Sequence, residues 1–408
     1  MSVETAVASR RVVSIDLIRG AVMALMAIDH VRVYAGVPAG GPVPSIFFTR
    51  WITHFCAPAF VFLAGTSAFF YGRRHADLSR FLFVRGVWLV VLELTLIRIA
   101  WTFNFDFIHL MAGVIWVLGW CMILMAALVR LPVAAVSAIG IAIIAGHNLM
   151  DARFGELSAS LGNTPLDALR KILYVSFYAG PIPLGAGGEN GPSLVVLYSI
   201  VPWIGVMAAG YAFGKILTLE PARRDRICLT LGLGAMALFI VLRGFNLYGD
   251  PRPWSATPSD AAAAHGNGAR PMPALLSFLN TTKYPASLAF LLMTLGPPIA
   301  LIPLLERARG PLARWLAVFG RVPFFFYVLH IPLIHALAII VSQIRLGEVT
   351  PWLFENHPMG NPPAPEGYVW SLPLLYLVWA VAIVLLYVAC RWFAAFKERR
   401  SNWWLRYV

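Results

Sequence analysis

Apolar runs of about 20 residues recur along the chain, each closed by a segment rich in basic residues, glycine or proline. They predict ten membrane-spanning helices, with an eleventh left open, over 12–36, 50–72, 80–101, 107–129, 131–149, 194–217, 225–244, 286–305, 315–343 and 370–394. The expected fold is an all-α polytopic bundle forming one domain over 1–408. Two stretches, 150–193 and 245–285, are rich in Gly, Pro, Ala and Ser. They read as long outer loops, which are either functional or plain connectors. No repeat of fixed period is visible.

Ionisable side chains inside a span are costly and mark function or an internal pair. Span 1 carries Asp16 and Arg19 three residues apart near its start, then Asp29, His30 and Arg32 near its end. At the helical rise, His30 stands roughly 25 Å beyond the start of the span. Asp16/Arg19 is either a structural ion pair or an anion-binding feature. Span 2 opens with Arg50, Trp51 and His54 and continues through the small residues Gly65-Thr66-Ser67, a packing face. Span 3 holds Glu93 and Arg98, and span 4 begins with Asp106 and His109. Span 9 holds His330 and His335, with Pro323 and Pro332 expected to bend the helix around His330. Five histidines on four spans thus fall in one layer with Asp29, Glu93 and Arg98. Such a layer is either interfacial packing or a site for proton transfer near neutral pH. Asn280 to Pro285 is a substrate-binding cluster or an aromatic-belt anchor, and Tyr198 to Gly205 suggests a broken helix.

Composition sharpens this. Of 408 residues 59% are hydrophobic and 12% charged, half the roughly 25% charged residues of a soluble domain; mean hydropathy is +0.74. A water-soluble globule is excluded. The net charge of +13 fits the positive-inside bias. With the N-terminus inside, most basic residues, among them Arg10, Arg11, Arg73, Arg74, Arg224, Arg307, Lys397 and Arg399, fall on the inner side, so both termini are expected in the cytoplasm. The first run contains Asp16, Arg19, Asp29 and His30 and no small-residue cleavage site, so it reads as a retained span. Cys56, Cys121, Cys228 and Cys390 lie in apolar runs and read as core residues. His330 and His335 are five apart and no HExxH occurs, so no metal is expected. No G-x-S-x-G, phosphate loop or nucleic-acid motif is present.

Several stretches together resemble the heparan-alpha-glucosaminide N-acetyltransferase catalytic-domain family. They are the R-x-x-S-x-D-x-x-R-G opening from Arg11 to Gly20, His54-Phe-Cys-Ala-Pro58 through Gly65-Thr-Ser67, Tyr198 to Gly205, Asn280 to Pro285, and Gly320 to His335. They run in the family's order over residues 11–335. The opening is also similar to a wider superfamily of membrane acyltransferases that uses a first-span histidine. The resemblance implies transfer of an acyl group from cytoplasmic acetyl-CoA to an amine or hydroxyl, on a small molecule or glycan, at the far side. His30 occupies the family's first-span position. Lysosomal members carry asparagine there and a histidine in the following loop; residues 37–49 here contain none, and His54 is the nearest.

On this reading His30 is the general base and Asp29 orients it or stabilises its charged form. His54 and His330 shape the site or share the proton work. Arg19, Arg85 and Arg321 meet the CoA phosphates at the inner mouth. Trp51, His109, Lys283 and Tyr284 bind the acceptor. The expected surroundings are the lipid bilayer of a bacterial inner membrane, with a homodimer left open. A different class, a proton-coupled exporter with a His/carboxylate relay, uses the same residues.

Overall fold

The computed structural model describes residues 12–151, 161, 164–174, 180–185, 191–255, 272–355, 357, 363–400, 402 and 405. Arg10 and Arg11, and parts of the stretches 150–193 and 245–285, lie outside them. In chain order the helices are α1 (Val13–Tyr34), α2 (Pro44–Gly72, with a tightened turn at Ile52–Phe55), α3 (Leu78–Leu92), α4 (Val114–Leu128), α5 (Val133–Gly146), α6 (Pro165–Leu173), α7 (Ile200–Ile216), α8 (Pro221–Gly244), α9 (Ala274–Leu279), α10 (Leu288–Arg307), α11 (Pro311–Arg321), α12 (Pro323–Leu346) and α13 (Leu372–Arg399). Three short strands, β1 (His109–Ala112), β2 (Ile182–Pro183) and β3 (Ser193–Val196), form a sheet in the order β1-β3-β2.

Among the described residues six helices are long and apolar enough to cross a bilayer: α2, α8, α10, α12, α13, and α5 with its continuation to Met150. The apolar helices α4 and α7 are shorter. α1 has 22 residues but carries Asp16, Arg19, Asp29 and Arg32. The outward stripe of α13 is Leu377, Val384, Val388 and Trp392, each more than 60% exposed. In water that face would be an aggregation liability; against acyl chains it costs nothing. The chain is a mostly helical integral membrane protein.

The structure corrects the expected elements in four places. The fold is mostly rather than wholly helical, because residues 109–112 and 193–196 pair in parallel; the helices expected from 107 and 194 begin only at Val114 and Ile200. The helix expected over 315–343 is two helices. Val322 sits at φ −132°, ψ 51°, where the following Pro323 excludes the α conformation. Pro332, by contrast, is carried inside α12 without ending it. Finally, the described parts of the two long stretches contain α6, β2 and α9.

Several helix starts find side-chain acceptors. The Ser14 N–H, in the first turn of α1, donates to Glu306 Oε1 at 2.8 Å from the end of α10. The Glu220 carboxylate caps α8 and the Ser287 hydroxyl caps α10. Terminal N–H groups otherwise stay unpaired, which apolar surroundings penalise.

Lipid tails supply no hydrophobic drive between helices, so close backbone approach must. α1 crosses α11 with Gly20 against the Leu316 carbonyl and Gly320 against the Asp16 carbonyl; a Cβ on either would come within 2.0 Å of that oxygen. α2 crosses α7 in the same way, through Gly65 against Met207 and Gly210 against Phe62. The Thr66 hydroxyl donates to the Gly210 carbonyl at 2.9 Å in that crossing. Gly320→Ala is therefore expected to lower the melting temperature in detergent, at an overpacking cost of about 1–3 kcal/mol. Gly234→Ala, where a Cβ meets nothing within 4 Å, is expected to leave it unchanged or higher. Equal behaviour of the two variants in a thermal-shift assay would refute the crossing.

Candidate active site

Two cavities lie along α1. One, of about 500 Å³, surrounds its C-terminal end and is lined by Asp29, His30, Arg50, Trp51, His54, Glu93, Lys283, Tyr284 and Tyr327, among others. The second, of about 340 Å³, lies at its N-terminal half and is lined by Arg19, Arg85, Arg321 and Lys397 over an apolar wall that includes Leu89, Ile115 and Leu118. Val114 and Tyr327 line both. They stand at the boundary, or neck, between the two cavities. Arg19 and His30 are 11 residues apart, about 16 Å along the helix.

The chemistry of the first cavity follows from one main-chain group. His330 Nδ1 lies 2.5 Å from the Tyr327 carbonyl one turn earlier. A carbonyl only accepts, so Nδ1 carries the proton and His330 Nε2 is a bare acceptor. His30 Nδ1 lies 2.6 Å from that Nε2 and must be its donor. His30 is thereby fixed as the Nδ1–H tautomer. Its Nε2 keeps a lone pair and has no hydrogen-bond partner among the described residues. Trp101 packs edge-on against the ring, with centroids 4.9 Å apart.

Asp29, expected to orient His30 or to stabilise its charged form, makes no hydrogen bond to it and acts on it only through space. Its Oδ1 accepts from Arg32 Nε at 2.8 Å and its Oδ2 from Arg50 Nη1 at 2.6 Å. The carboxylate ties α1 to α2 and is consumed by two guanidinium groups. The orienting partner of His30 is His330. Arg50 also reaches the Tyr284 hydroxyl at 3.4 Å. The stretch that presents Lys283 and Tyr284 is organised by Asp250, whose carboxylate accepts from Thr282 N–H, Thr282 Oγ1 and Ser287 Oγ. Lys283 Nζ lies 5.7 Å from the Tyr198 ring centre and 5.2 Å from that of Tyr284, a cation–π cradle. Burial and the nearby Arg50 charge hold its ammonium below the ordinary lysine range.

Of the remaining expected site residues, Trp51 and His54 line the cavity; His54 is buried, with Nδ1 unpartnered. His109 does not line it: its Nδ1 sits 2.9 Å from Ser193 Oγ across β1 and β3. His335 is also elsewhere, stacked between Tyr34 and Phe103. Arg98 serves the backbone, donating to the His109 and Asp106 carbonyls. In the second cavity Arg19 donates to the Leu63 carbonyl and to Ser67 on α2, and Arg321 lies 3.4 Å from Glu398. Arg19, Arg85 and Arg321, drawn from three distant parts of the chain, thus line one space. The sequence reading missed Arg50, Tyr198 and Tyr327. Arg50 had a signal, a membrane-level cation near the depth of Asp29; Tyr327 had only its place one turn before His330.

Residues 11–244 match the family described as heparan-alpha-glucosaminide N-acetyltransferase, catalytic. No curated protein matches the chain. The family match includes Arg19, Asp29, His30, Arg50, His54, Arg85 and Glu93, while Lys283, Arg321, Tyr327 and His330 lie beyond it. It spans more than half of the 408 residues, and the chain therefore belongs to the heparan-alpha-glucosaminide N-acetyltransferase catalytic family.

Proposed function

We propose that this protein is a transmembrane acetyltransferase that takes the acetyl group of cytoplasmic acetyl-CoA and passes it to an amine or hydroxyl of a sugar on the outer side. The observation that carries the reading is the pair of cavities meeting at Val114 and Tyr327, a basic cluster in one and an imidazole with a bare nitrogen in the other. The topology proposed with it has ten spans in one domain, both termini cytoplasmic, and the Arg19 end of α1 facing the cytoplasm of a bacterial cell.

Arg19, Arg85, Arg321 and Lys397 suit the phosphates of CoA. The pantetheine arm then runs through the neck and brings the thioester beside His30. The acceptor N–H or O–H lies against His30 Nε2. As the acceptor atom attacks the carbonyl carbon, its proton passes to Nε2, the new C–N or C–O bond forms, and the C–S bond breaks. The leaving thiolate takes that proton from His30 Nε2 and departs as CoA, which restores the neutral imidazole. His330 Nε2 accepts from the imidazolium's Nδ1–H throughout, and the Asp29 carboxylate adds a through-space attraction. Asp29, bound to Arg32 and Arg50, fixes the α1–α2 wall. Lys283, Tyr284 and Trp51 contact the acceptor.

Purified protein is expected to acetylate an amino sugar such as glucosamine from acetyl-CoA. His30→Ala is expected to lower kcat by about 10²–10⁴-fold with its melting temperature kept. His330→Phe is expected to lower kcat in the same direction with the KM for acetyl-CoA nearly unchanged. Full activity in His30→Ala would refute the base. Acceptor crossing liposomes unmodified under a proton gradient, with no response to acetyl-CoA, would replace the acetyltransferase by an exporter.

The inner cluster has its own test. Arg321→Ala is expected to raise the KM for acetyl-CoA about tenfold and to leave that for S-acetylpantetheine, which lacks the nucleotide phosphates, unchanged. Equal losses with both donors would remove the phosphates from that cavity.

A further inference from the structure

The proton work described above leaves one cavity group unused. Glu93 is 2% exposed and lines the outer cavity. It stands at the start of a widened π turn, Glu93–Ile97, that interrupts the third helical segment; such turns recur at functional sites. Its carboxyl is held by the backbone N–H groups of Gly113 and Ile115, the two neighbours of Val114. A Cβ at Gly113 would lie 2.1 Å from Oε1, so only glycine lets the carboxyl sit there. Tyr327, on the other side of the neck, is close enough to interact with it electrostatically. The second oxygen, Oε2, is buried and accepts no hydrogen bond. No lysine or arginine among the described residues pairs with it.

A buried carboxyl oxygen without a donor is costly to keep. A capping role explains Oε1 but leaves Oε2 without a donor, near the boundary between the two cavities. The residues approaching the neck from the inner side, Leu89, Ile115, Leu118 and Met122, offer no side-chain acceptor. A pantetheine arm carries two secondary amides, and each N–H that leaves water there needs an acceptor.

We infer that Glu93 positions the donor: its Oε2 accepts a hydrogen bond from an amide N–H of the pantetheine arm in the neck, which sets how far the thioester extends toward His30. This rests on the acetyltransferase reading and adds a binding residue on α3's extension to it. No bond is made or broken at Glu93.

Glu93→Gln keeps the shape and one oxygen for the backbone, and places an amide donor where the free acceptor was. Binding to full-length protein in detergent is measured by calorimetry with two probes, CoA and adenosine 3′,5′-bisphosphate, which has the phosphates but no pantetheine. The variant is expected to bind CoA about tenfold or more weakly, to bind the bisphosphate as the wild type does, and to melt within a few degrees of it. Turnover should show the loss chiefly in the KM for acetyl-CoA, with acceptor KM unchanged. Unchanged CoA affinity overturns the assignment. So does an equal loss for both probes, which would mean a general disturbance, and so does a loss confined to acceptor KM, which would move Glu93 to the acceptor. Wild-type protein that binds neither probe refutes the acetyltransferase reading itself, and the Glu93 assignment falls with it.

Discussion

The reading of the outer cavity depends on one main-chain carbonyl. Tyr327 O accepts from His330 Nδ1, and from that bond the protons on two rings follow in order. A carbonyl cannot reverse its role, as a hydroxyl or a water can, so the order is fixed by the helix itself. The result is two imidazoles in the same Nδ1–H tautomer, one facing the cavity and one behind it. In many enzymes a carboxylate takes the rear position. Here the nearby carboxylate is hydrogen-bonded to Arg32 and Arg50, and the ring of His30 hydrogen-bonds to a second imidazole instead. A neutral acceptor stabilises an imidazolium less than a carboxylate does, but it adds no charge to be desolvated in the membrane.

The two cavities have opposite characters for reasons of position. The one beside Arg19 is edged by cations from α1, α3, α11 and α13. The one around His30 pairs most of its charges locally, Asp29 between two arginines and Lys283 between two tyrosines, and leaves Glu93 apart from them. Small-residue crossings bring α1 against α11 and α2 against α7.

Much of this was legible in the chain. Apolar run length found a helix in each of the ten segments, because a bilayer demands about 20 apolar residues and little else supplies them. Charge placed within apolar surroundings picked out Asp29, His30, His54 and His330, since such groups are rarely tolerated without a task. The partners were less legible. Asp29 precedes His30 in sequence, but neighbours on a helix point about 100° apart, so adjacency said nothing about contact. His330 is 300 residues away, and only the packing of α12 against α1 brings it to 2.6 Å. The starts of the expected fourth and sixth spans were misread because a strand buried between helices is as apolar as the helix that follows it. His109 went with that error: as the first residue of a strand it faces Ser193.

The break at Val322 has a mechanical consequence. The helices on either side of it both grip α1, α11 by backbone contact at Gly20 and Gly320, and α12 by the imidazole pair near the opposite end. One bent segment therefore clamps one straight helix at two heights. A bilayer that thins or thickens can tilt this clamp as a unit, but it cannot slide His30 past His330 without first unseating a glycine from a carbonyl. The spacing of the paired rings is thus a property of the polypeptide, insulated from the thickness of the lipid around it.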